Sequence, residues 1–158
     1  MPSKLITTWN EYEGAVKEIL ERAAHTLLIF DENLSTLKLD RPDRIAALRQ
    51  FLGASPKNLL QIAVQDADYL RLHSPRLMEL LAAYSHNLQI LECPPHLATL
   101  SDSLILADGQ HGLVRFHKTQ ARAKVIFDDI GECAPYLHRH EQILEEGGTP
   151  VSGRALGL

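Results

Sequence analysis

Apolar residues recur early in the chain with two different periods, and their alternation predicts the architecture. Trp9, Tyr12, Val16, Ile19, Leu20 and Ala23 fall on one face at helical spacing. Thr8 and Glu11 open that run as a Thr-x-x-Glu capping box, in which each side chain satisfies the other's exposed amide. Thr26-Leu27-Leu28-Ile29-Phe30 comes next, an unbroken apolar run too short for a helix and suited to a strand buried on both faces. It stops at Asp31-Glu32-Asn33. A loop from Leu34 to Arg41 leads to a second helix, with Pro42 in its first turn and Ile45, Leu48, Phe51 and Leu52 as its stripe. Gly53 is the expected left-handed stop.

The pattern then repeats and changes. Leu59 to Val64 reads as a strand that ends in Gln65-Asp66-Ala67-Asp68, followed by a helical turn. Ser74 is the expected cap of a helix with Pro75 in its first position and Leu77, Leu80, Leu81 and Tyr84 on its apolar face. Leu88 to Glu92 is a further strand, closed by Cys93-Pro94-Pro95. Residues 103–107 and 113–116 read as a hairpin across the five residues Asp108-Gly109-Gln110-His111-Gly112. Lys124 to Phe127 predicts one more strand, and a closing helix runs from about Asp129 to Glu146. Strands alternating with helices, then clustered antiparallel strands, predict an α/β fold with helices packed on a mixed sheet. Residues 1–146 are expected to form one domain and residues 147–158, rich in glycine, a mobile tail.

Composition bounds the function classes. The 158 residues are 45% hydrophobic and 23% charged with a net charge of -4, which gives no global attraction to nucleic acid or an anionic membrane. No run approaches the roughly 18 apolar residues of a membrane helix, and no signal peptide is evident. With only Cys93 and Cys133, reduced thiols and a cytoplasmic location are the expectation. No phosphate-binding glycine loop, dinucleotide fingerprint or nucleophile elbow is present. Neither a metal nor a cofactor is expected.

Two clusters carry candidate chemistry. Asp31, Glu32, Asp66 and Asp68 follow two buried strands, where ligands collect in open α/β sheets, and together they would suit Mg²⁺. The competing account is that they cap the helices that follow. Arg115, Lys118, Arg122 and Lys124 lie in a stretch without acids and would suit phosphate groups; as edge-strand cations they would instead discourage aggregation. His138 and His140, two apart on a helix, point to different sides. Cys93 and His96 have ligand spacing but no second pair. His140 continues the apolar stripe of the last helix.

The order of elements from Ser101 to Glu146 resembles the second part of a phospholipase D-type half domain, more loosely from Trp9 onward, and is similar to bacterial phospholipase D-like domains of unknown function. That family's His-x-Lys-x4-Asp motif supplies a histidine nucleophile and a lysine that stabilises phosphate charge, and two motifs meet across a pair of half domains. The resemblance places Ser101 at the histidine, Ser103 at the lysine and Asp108 at the aspartate. The Gly-Ser/Gly-x-Asn stretch expected after the next strand is missing after Gly112, and the adjacent pair His117-Lys118 cannot replace the motif. A serine without a base is a poor nucleophile and offers no positive charge to a developing phosphorane. The resemblance therefore implies no catalytic residues and a degenerate module that binds or assembles, as a homodimer or with another protein. The alternatives are a Mg²⁺-dependent phosphoryl-transfer enzyme at the acidic strand ends and, against the net charge, a nucleic-acid accessory protein.

Overall fold

The computed structural model describes residues 3–153. Helix α1 (Trp9–Arg22) starts at the expected box: Thr8 Oγ1 accepts from Glu11 N–H at 3.2 Å, and Glu11 Oε1 accepts from Thr8 N–H at 3.2 Å. Strand β2 (Thr26–Asp31) is followed by helix α2 (Pro42–Ala54) and strand β3 (Leu59–Val64). Helices α3 (Asp68–His73) and α4 (Pro75–Ala83) then lead to β4 (Leu88–Glu92). The chain continues with β5 (Ser103–Ala107), β6 (His111–Arg115), β7 (Ala123–Ile126) and α5 (Ile130–Glu145).

Two short strands complete a single eight-stranded sheet: β1 (Lys4–Ile6) and β8 (Thr149–Pro150) are its edges, in the order β1-β7-β6-β5-β2-β3-β4-β8. β2, β3 and β4 run parallel, joined by helical crossovers, and every other pairing is antiparallel. The sheet is mixed, as the sequence predicts. Its larger core joins Tyr12, Val16 and Ile19 of α1, Leu48 and Phe51 of α2, and Leu77 and Leu80 of α4 to Leu27, Ile29, Leu60 and Ile62. The alternate residues Phe30, Ala63, Leu104 and Val114 face the other way, onto Ile143 of α5. Burial on both faces explains why these strands read as apolar runs instead of alternating. Among the described residues, no helix is long and apolar enough to cross a membrane.

Several boundaries differ from expectation. Gly53 lies inside α2, which ends at Ser55 in extended backbone. The Ser74 side chain makes no capping bond to α4; Asp40 of the distant loop between β2 and α2 accepts from Leu77 N–H at 2.8 Å instead. The hairpin turn is shorter, because His111 and Gly112 already pair with Ala107 and Leu106. The segment expected as a tail enters the sheet as β8, and Val151 is buried; residues 154–158 lie outside the described residues.

Candidate functional site at the carboxyl end of the parallel strands

The carboxyl end of β2 delivers Asp31 into the larger core, where its side chain is almost wholly buried. A buried carboxylate needs hydrogen bonds and a counter-charge, and the fold supplies both. Oδ1 accepts from Ser103 Oγ at 2.7 Å and from Arg115 Nη2 at 3.1 Å. Oδ2 accepts from the Leu34 and Asn33 amides at 2.7 and 3.2 Å. These bonds seat Leu34 in a left-handed conformation, φ 68°, and fix the entry to the loop that leads to α2.

Arg115 reaches the same place from the end of β6, opposite Ser103 in the hairpin register. It is 1% exposed. Its guanidinium lies 5.2 Å from the Tyr12 ring and 5.7 Å from the Trp9 ring, and Nη1 donates to the carbonyls of His117 and Lys118. Burial pushes the Tyr12 phenol up, so it remains a neutral hydroxyl beside the pair. Asp31, Ser103 and Arg115 thus form a closed polar lock tying β2, β5, β6 and two loops together. Over it lies a shallow groove of about 280 Å³ lined by Trp9, Glu13, Thr36, Lys38 and Lys118.

The three positions that the resemblance matches to His-x-Lys-x4-Asp are not together. Ser103 is inside the lock. Ser101 is half-buried just before β5, and its carbonyl accepts from Lys118 N–H at 2.6 Å. Asp108 sits at the far end of β5, about 17 Å away at the usual rise per residue. Its carboxylate accepts from the Ala24, His25 and Thr26 amides at 2.9, 2.7 and 2.9 Å, pinning the α1–β2 connection.

The four candidate acids also separate. Asp31 is committed to the lock, and Glu32 pairs with Lys118 at 3.0 Å. Asp66 and Asp68 instead approach Glu92, with carboxylate oxygens within 4.8 Å of one another. Part of that group caps backbone: Asp66 accepts from Asp68 N–H and Glu92 from Ala67 N–H, at 2.8 and 2.7 Å. Glu92 is the acid the sequence reading left out. Its signal was its place at the end of a strand parallel to β3.

The four candidate cations are divided too. Arg115 is buried, Lys118 is paired with Glu32, and Lys124 donates to Glu132 of α5 at 2.8 Å. Arg122 is exposed and forms no ion pair among the described residues. His138 is exposed while His140 is buried, with Nε2 3.1 Å from the Ile29 carbonyl. Burial pushes the His140 imidazole down. Cys93 is buried, and His96 turns to Glu146 at 3.1 Å.

Residues 8–156 match the family described as Domain of unknown function (DUF7931). The chain belongs to that family. No curated protein matches this DUF7931 domain significantly. Among solved structures, it is similar to TrmBL2, described as an archaeal chromatin protein, with a TM-score of 0.69 and 15% identity. That match covers 96% of this chain and 54% of TrmBL2, so the domain spans about half of its relative. It is also similar to Nuc from Salmonella typhimurium, a phospholipase D family member, with a TM-score of 0.61 and 12% identity over 96% of this chain and 98% of that one. NucT from Helicobacter pylori gives a TM-score of 0.61 and 12% identity, over 92% and 96% of the two chains. The fold is phospholipase D-like; at such identity the likeness concerns the fold alone.

Proposed function

We propose that this DUF7931 domain is a non-catalytic phospholipase D-like module that acts in the cytoplasm by binding and assembly, as a homodimer or with a protein partner. One observation carries the reading: the position matched to the charge-stabilising lysine is Ser103, whose hydroxyl is spent on buried Asp31 beneath Arg115. The Arg115 guanidinium beside it is neutralised by Asp31 and covered by Trp9 and Tyr12, so it is withheld from an entering phosphate, and Lys38 and Lys118 of the groove above are paired with Glu13 and Glu32. Among the described residues Ser101 makes no hydrogen bond to a histidine that could act as base, and Asp108 is occupied by three backbone amides at the other end of the strand. The test is turnover of bis(p-nitrophenyl) phosphate and of DNA by the pure protein. No turnover above buffer is expected; turnover that disappears in Ser101→Ala would overturn the reading.

A nucleic-acid role is the second reading, favoured by the likeness to TrmBL2, which is described as showing a novel mode of DNA binding. The exposed rings of Trp9 and Phe116 add an aromatic element to the basic segment. Against it stand the net charge and the pairing of Arg115, Lys118 and Lys124 with carboxylates. Fluorescence anisotropy with labelled single- and double-stranded DNA at low salt separates the two: the second reading requires binding that weakens steeply as salt rises.

A further inference from the structure

The outer edge of β4 is closed by a short strap of the chain itself. Thr149 and Pro150 pair with Glu92 and Leu91, and Val151 N–H donates to the Ile90 carbonyl at 2.8 Å. Ile90 and Val151 are therefore a hydrogen-bonded pair, and the neighbouring Leu91–Pro150 pair is of the other kind. In that position the backbone nitrogen of residue 150 faces away from β4. Proline has no N–H to offer there, so the strap ends the sheet instead of extending it.

The seat is selective for this segment. Gly147 and Gly148 take φ 85° and 136°, values that suit only glycine. A Cβ at Gly148 would collide with the Glu92 carbonyl oxygen, and one at Gly153 would lie 2.5 Å from Ala82 N and 2.8 Å from Met78 O. Between these close approaches, Val151 is 5% exposed and belongs to the larger core. An occupant of this edge therefore needs glycines five residues apart and a valine between them. Few segments meet that requirement, and the chain carries one.

We propose that Gly147–Gly153 exchanges between two copies of this protein, so that the strap of each completes the sheet of the other. The inference rests on the assembly half of the reading above and is independent of whether catalysis is lost. Gly147, which lies between α5 and the seated Gly148, is the hinge, and α5 stays on its own sheet. Every contact of the closed strap is reproduced in the exchanged pair, so the two forms differ mainly in the hinge and in the entropy of association. The tethered strap has a high effective concentration at its own seat, which keeps the dilute protein closed.

The test introduces Leu91→Cys and Pro150→Cys together into the full chain, at a facing pair where cysteines can bridge. Oxidation of the dilute protein is expected to give a monomer with an internal bridge. After incubation at millimolar concentration before oxidation, a covalent dimer is expected on a non-reducing gel. Light scattering on a second variant, lacking Gly147, is expected to show the dimer fraction raised severalfold, because the shortened hinge disfavours closure. Adding Val151→Asp is expected to abolish that dimer by unseating the strap. Bridging that stays internal at every concentration overturns the proposal, as does a dimer that survives Val151→Asp. Absence of phosphodiesterase turnover bears on neither result.

Discussion

At the scale of single residues, Asp31 is the keystone. It joins four partners from three parts of the chain, and removing one member of such a buried pair strands the other's charge. Arg115→Met is therefore expected to lower unfolding free energy by about 3 kcal/mol, measured by urea denaturation. In the Asp31→Asn/Arg115→Met double variant part of that loss is expected to return, because neither charge is left alone; strict additivity would argue against the coupling. His140 gives a pH signature. Its imidazole is disfavoured as a cation in the folded state but not in the unfolded chain, so the unfolded state binds the extra proton. Its contribution to stability is complete above the ordinary histidine value of 6.5 and is lost as pH falls below that value. Chemical denaturation at a series of pH values is expected to show a steeper decline on the acid side for the wild type than for His140→Phe. Equal slopes would remove His140 from the account.

At the scale of elements, the α2 approach loop is held from outside itself. Asp40 accepts from Leu77 N–H at the start of α4, the bond the sequence reading gave to Ser74. Asp40→Ala is expected to cost about 1 kcal/mol and to release amide protection in the first turn of α4 by hydrogen exchange; Ser74→Ala is expected to leave that protection unchanged. The contrast marks what a sequence can carry. The capping box at Thr8 and Glu11 lies within four residues and was legible. The Asp40 cap spans 37 positions, and no local pattern announces it. The central strands were legible because burial on both faces leaves long apolar runs. Strands β1 and β8, with three and two residues, are too short to show a period and exist through pairing with distant partners. The candidate acids were legible as strand ends, but their fates depend on register: Ser103 stands opposite Arg115, which draws Asp31 inward and leaves Glu92 to meet Asp66 and Asp68.

At the scale of the whole molecule, the question is whether the phospholipase D-like frame has room at position 103 for a charge-stabilising lysine. The geometry argues against it. A lysine ammonium placed at position 103 would enter a site that is 1% exposed and already filled by the Arg115 guanidinium, with a single carboxylate to serve two cations. A histidine at position 101 would gain no second motif unless another copy faced it. Installing the histidine and lysine of the His-x-Lys-x4-Asp motif by Ser101→His/Ser103→Lys is therefore expected to give no phosphodiesterase turnover, together with a stability loss of roughly 2 kcal/mol from the added buried charge. Adding Arg115→Gly to the pair removes the competing cation, and the lost stability is expected to return in part. Turnover in the Ser101→His/Ser103→Lys variant itself would mean that the frame remained competent and that the buried lock is incidental. Recovery of stability only after Arg115 is removed would show that an ammonium at position 103 and the Arg115 guanidinium compete for Asp31.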